Sequence, residues 1–183
     1  MDVQHKLVTL EEFDAFLQLP ENASRIFELI DGEIVEKMPS NPLSSNIAMR
    51  IAIPIGNYLS THDIGHLTGE AGGYKIFRDT YVPDVAFISK SRLPELPYIG
   101  FAPIPPDLAV EVVSPTDDKD ELLSKVANYL AAGVLVWVLY PLEKEVKVFA
   151  PGQPVQTVDI NGVLDGGEVL PGFKLAVKDI FRG

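Results

Sequence analysis

Two short apolar runs, Pro83-Asp84-Val85-Ala86-Phe87 and Leu108-Ala109-Val110-Glu111-Val112-Val113, each carry one carboxylate. Val-rich runs of this length read as strands of a buried sheet. A carboxylate taken into such a strand is costly unless it is ion-paired, hydrogen-bonded or bound to a metal. The fold must therefore bring something to Asp84 and Glu111. The helix-like run that follows supplies an ammonium, Lys125.

Alternate residues of an extended strand share a face, so Ala109, Glu111 and Val113 point one way and Leu108, Val110 and Val112 the other. Pro83 has no N–H for a ladder and marks a strand start or edge. If the two strands are neighbours, both carboxylates meet at one end of a sheet. On a helical projection, Lys125 lies about 40° beyond the Tyr129 edge of the apolar arc made with Leu122, Val126, Leu130 and Leu123. From there a lysine can lay its stem over the core and return its head to the sheet. Two chemistries meet this pattern. Carboxylates holding a divalent cation, with a lysine beside them, suit hydrolysis of phosphodiesters. A capping Asp84 and a partly buried Glu111–Lys125 ion pair, with no catalysis, need the same residue types.

With 183 residues, 46% of them hydrophobic and 22% charged, the chain is long enough for one domain, 1–183, with a real core. The absence of cysteine removes disulfides and thiolate chemistry and fits a reducing cytosol. No basic leader opens the chain, and no run approaches the roughly 20 apolar residues of a membrane span, so a soluble, cytoplasmic protein is expected. A net charge of −11, from 26 Asp and Glu against 15 Lys and Arg, opposes general affinity for phosphate backbones. A local basic groove, or a partner, is needed if nucleic acid is bound.

Thr9-Leu10-Glu11-Glu12 matches a helix capping box, with the helix stopped by Pro20. Residues 25–30 and 33–38 read as strands joined at Asp31-Gly32, a hairpin signal. Residues 44–60 read as a helix with Ile47, Ile51, Ile55 and Tyr58 as its stripe, which Pro54 should kink or shorten. Strands are expected at 65–70, 74–78, 82–89, 108–113, 134–140 and 145–150, and a helix at 118–132 followed by Gly133. The proline-rich stretch 93–106 reads as an ordered loop flanking the site. Turn residues multiply after Pro151, as short strands finish the chain.

Several segments together carry a family resemblance. They are Phe27-Glu28-Leu29-Ile30-Asp31-Gly32-Glu33, Thr68-Gly69-Glu70, Val82-Pro83-Asp84-Val85-Ala86-Phe87, residues 106–115, residues 125–134 and residues 164–173. In that order the chain resembles the Uma-type restriction endonuclease family, a bacterial group of the PD-(D/E)xK superfamily. The resemblance implies an α/β (α+β) restriction-endonuclease-like fold: a mixed central sheet flanked by helices, an N-terminal hairpin and short C-terminal strands. It places Asp84 at the PD aspartate and Glu111 at the (D/E) position, with the Val112 carbonyl as a further ligand for Mg²⁺ or Mn²⁺. The lysine of the motif would fall on Val113. In this family it moves to the following helix, onto Lys125. Relatives carry a histidine where Ser44 stands. The implied activity is metal-dependent DNA endonuclease action, by a homo-oligomer with a dimer as the first expectation. The alternative is a degenerate nuclease-fold module that binds nucleic acid or protein.

Glu70 and Glu28 are further candidates. Glu70 precedes Ala71-Gly72-Gly73 and reads either as an added metal or water ligand or as a solvated turn carboxylate. Glu28 reads rather as an ion-pair partner within the hairpin. His62-Asp63-Ile64-Gly65-His66 imitates a zinc motif, but Gly65 argues for a loop rather than the single helical face such a motif needs. Trp137 reads as core, and Ser114 as a strand end or cap.

Overall fold

The computed structural model describes residues 7–182, so the opening segment 1–6 read for a leader lies outside the described residues. Among the described residues no helix is long and apolar enough to cross a membrane. The carboxylate-bearing runs become β6 (Val85–Ser89) and β7 (Leu108–Val112), antiparallel neighbours with Val85 opposite Val110. β7 lies parallel to β8 (Leu135–Tyr140), and β9 (Glu145–Phe149) and β10 (Gln156–Val158) extend that side. With β3 (Gly65–Gly69) on the other edge, the sheet runs β10-β9-β8-β7-β6-β3. Strand alternation sends Leu108, Val110 and Val112 to one face and Ala109 to the other, as the pattern predicts.

Two helices cover these faces. α2 (Pro42–Leu59) packs Ile47, Ile51 and Ile55 against Val85, Phe87, Leu108, Val110 and Trp137. Pro54 does not shorten it: Ile51 and Ile55 are both fully buried, and their packing on either side carries the helix through the missing N–H. α3 (Lys119–Ala131) packs Val126 and Tyr129 against Ala86, Ala109, Val136 and Val138. Asp118 caps it, accepting from the Asp120 and Glu121 amides, and Gly133 follows at φ 81°, a left-handed residue that suits glycine.

A second sheet, β2-β1-β5-β4, lies beside the first. β1 (Phe27–Ile30) and β2 (Glu33–Glu36) form the expected hairpin about Asp31 and Gly32, at φ 50° and 79°. The strand expected over 74–78 is shorter, ending at Ile76 as β4 (Tyr74–Ile76), and an unexpected strand, β5 (Asp79–Tyr81), follows it. Their turn holds Phe77 at φ 55° and contains no Gly or Asn, so the sequence carries no hairpin signal there. α1 (Leu10–Leu17) closes this sheet through Phe13, with the Thr9–Glu12 capping box formed in both directions.

The 93–106 loop does not flank the site as expected. It lies along β4, where the Lys75 amide donates to the Ala102 carbonyl and the Ala102 amide to the Gly73 carbonyl, and Phe101 meets Phe13 edge-on at 5.9 Å. The chain finishes with β11 (Val163–Asp165), β12 (Lys174–Ala176) and a single-turn α4 (Val177–Ile180), whose apolar residues join the core beneath α2.

Candidate functional site

The ends of β6 and β7, the β1–β2 hairpin and α3 enclose a cleft of about 810 Å³. Asp84, Glu111, Val112, Lys125 and Glu28 all line it. Asp84 precedes β6, its amide bonded to the Val110 carbonyl, so the register carried one residue further sets Asp84 across from Glu111. The Asp84 carboxylate is fixed from two sides: Oδ2 accepts from the Val112 amide at 2.8 Å, and Oδ1 meets Lys37 Nζ at 3.2 Å.

Glu111 points to the α3 face of the sheet, where Tyr129 donates to its Oε1 at 3.1 Å. Lys125 reaches back from α3, as the helical angle predicts, and sits 2.9 Å from Glu28 Oε1 and 3.3 Å from Glu111 Oε1. Its ammonium also lies 5.3 Å from the centre of the Tyr81 ring, within reach of its π-face. Burial lowers the affinity of Lys125 for its proton, but Glu111, Glu28 and Asp84 outweigh it and hold the group firmly charged. Glu111 is pushed up to about 7, chiefly by burial; Asp84 and Glu28 add to this while Lys125 and Lys37 oppose it.

Behind this layer, Asn128 donates to Asp79 and to the Tyr81 hydroxyl, and Tyr81 in turn donates to Asp79 at 2.9 Å. The network fixes Tyr81, whose ring meets Tyr129 edge-on at 5.3 Å. The tyrosine that orients Glu111 is thus held on its far side.

Glu28 differs from its expected role. Val35 lies opposite it in the hairpin, so no ion pair forms there; its Oε1 instead accepts from the Val82 amide at 2.6 Å and from Lys125. Glu70 is exposed on the turn closed by the Gly72 amide and Gly69 carbonyl, and does not line the cleft. Lys37 was not singled out by its sequence pattern: it directly follows β2, one residue past the strand's last pair, and only the tertiary fold points it at Asp84. Ser44 is buried at the cleft wall and hydrogen-bonded to Asn41, which caps α2. His62 stacks on Tyr58 beyond α2 while His66 lies in β3, so the two do not share a helix face.

A mixed sheet covered by helices, with acidic residues where two adjacent central strands end, defines a restriction-endonuclease-like fold. The chain belongs to the Uma2 family, described as "Putative restriction endonuclease", whose sequence profile matches residues 13–178. Among solved structures it is similar to a crystal structure of "a putative nuclease belonging to DUF820" from Anabaena variabilis ATCC 29413. That likeness has a TM-score of 0.82 and 24% identity over 95% of this chain and 97% of the other. No curated protein matches the chain in sequence.

Proposed function

We propose that the protein is a nuclease that hydrolyses DNA phosphodiester bonds with the help of Mg²⁺ or Mn²⁺. The observation that carries this reading is the meeting of Asp84 and Glu111 in one cleft, with Lys125 between Glu111 and Glu28. Family membership supports it, as does the name of the Anabaena protein.

The donor set fits such a cation. Mg²⁺ and Mn²⁺ favour hard oxygen ligands, and Mg²⁺ is commonly held by one or two carboxylates while keeping several waters. Among the described residues no three His, Cys, Asp or Glu side chains are grouped for a metal. Asp84 and Glu111 would therefore hold the ion with the Val112 carbonyl, and water would fill the remaining positions. When bound, the cation supplies Lewis-acid polarisation and a nucleophile at neutral pH for in-line attack.

The chain's own residues do the rest. The Val112 amide and Tyr129 hydroxyl fix the two carboxylates in place for an arriving ion. Lys125 offsets the charge of Glu28 and Glu111 and sits at the cleft floor, where it would steady an attacking water or charge building on the phosphate.

The test is Mn²⁺ titration by calorimetry together with plasmid cleavage, on the parent and on Asp84→Ala. The variant should still unfold cooperatively, at a somewhat lower temperature because the Val112 amide and Lys37 lose their partner, yet lose both binding and cleavage. Cleavage by Asp84→Ala at the parental rate would remove Asp84 from the reaction. The acidic cleft rim (Glu36, Asp117, Asp118 and Glu121) favours a second reading, an interaction module that retains the nuclease fold without its chemistry. Absence of Mn²⁺ binding with and without DNA would favour that module.

A further inference from the structure

We infer that Lys37 is a built-in competitor of the divalent cation, an ammonium that occupies Asp84 until a metal ion displaces it. The inference rests on the proposed role of Asp84 as a metal ligand. Asp84 has two oxygens, and Oδ2 is already committed to the Val112 amide. Oδ1 carries no main-chain bond and is the oxygen more open to a cation, and it is the one that Lys37 holds at 3.2 Å. The same ammonium donates to the Val82 carbonyl, so two acceptors on the segment entering β6 fix its head. Its side chain is 18% exposed and lines the cleft, so it reaches this place from the rim rather than from the core.

The two lysines of the cleft are held differently. Lys125 lies between two carboxylates and beside an aromatic ring, and each of these favours its charge where it is. Lys37 has one carboxylate and one carbonyl. A divalent ion on Asp84 Oδ1 would stand close to the Lys37 ammonium, and at that range two positive charges in a partly buried site repel by many times thermal energy. Binding of the ion must therefore include release of Lys37, and apparent affinity is reduced by the free energy of the contact that is lost.

Calorimetric Mn²⁺ titration of the parent, Lys37→Met, Lys37→Gln and Asp84→Ala tests this, with thermal melting of each protein. Glutamine keeps a donor for Val82 and Asp84 while removing the charge, so it serves where methionine disturbs the fold. Both Lys37 variants should bind Mn²⁺ about tenfold more tightly than the parent, and Asp84→Ala should not bind it. Unchanged or weaker binding in folded Lys37 variants, with binding still lost in Asp84→Ala, would overturn the competition and leave the nuclease reading intact. If none of the four proteins binds Mn²⁺, with or without a DNA duplex present, the metal role of Asp84 fails and the competition fails with it.

Discussion

Glu111→Gln is the substitution that most directly reads the electrostatics of the cleft, because glutamine keeps the shape of the side chain and removes its titration. Burial raises the carboxyl from 4.5 to about 7, against the opposing pull of Lys125. The sign follows from linkage. Below about pH 4.5 the group is protonated in both the folded and the unfolded chain and adds no pH dependence. Between 4.5 and 7 the folded protein keeps a proton that the unfolded chain has lost, so stability falls as pH rises. Above 7 both states are ionised and the deficit is constant, at about 3 kcal/mol. Between pH 5 and pH 8 the change is roughly 2 to 3 kcal/mol. Urea unfolding with a chelator present measures it: the stability of the parent minus that of the variant should drop by that amount over this interval. Parallel pH profiles would refute the reasoning, because Glu111 would then titrate alike in both states. Saturating Mn²⁺ at pH 8 should return stability to the parent, since a ligand of the folded state stabilises it, and should return less to the variant.

Lys125→Met leaves Glu28 and Glu111 buried without their shared counter-charge, at side-chain exposures of 8% and 9%. It should cost about 3 to 5 kcal/mol in urea unfolding at pH 8 and less at pH 5, where Glu111 takes up a proton instead. A loss at pH 8 as small as that of an exposed pair, under about 1 kcal/mol, would show the cluster to be solvated. Affinity for a short DNA duplex should depend on the cation: weak with chelator and stronger with Ca²⁺, an ion that takes the same oxygen ligands. Fluorescence anisotropy measures this, and tight binding in chelator would contradict it.

What the sequence made legible was set by local pattern. Strand alternation placed Glu111 on the face of Ala109, which α3 proves to cover, and a helical angle brought Lys125 back to the sheet, because both are periodic properties of one element. The capping box at Thr9 and the Asp31-Gly32 turn are likewise written in adjacent residues. Most of what was missed depends on contacts between distant segments. Glu28 has its ion-pair partner 97 residues away, and Lys37 meets Asp84 across 47. β5 was hidden because Phe77 turns the chain at a positive φ with no glycine to announce it. The 93–106 loop was placed beside the cleft by its composition, whereas Phe101 anchors it to Phe13 on the other sheet.

The net charge of −11 set an objection to a nucleic-acid substrate, and the cleft answers it by local charge. Three carboxylates, Glu28, Asp84 and Glu111, face two ammoniums, Lys37 and Lys125, so the fully ionised cluster carries one negative charge in excess. Without a metal the cheapest correction is a proton, and the carboxyl that takes it is Glu111, the one raised to about 7. A divalent cation corrects the same deficit: with Lys37 displaced from Asp84, the ion and Lys125 together balance the three carboxylates. On the proposed reading, a phosphodiester is attracted by the ion itself, a point of positive charge set in an otherwise acidic cleft. Phosphate affinity would then be confined to the metal-loaded site rather than spread over a basic surface.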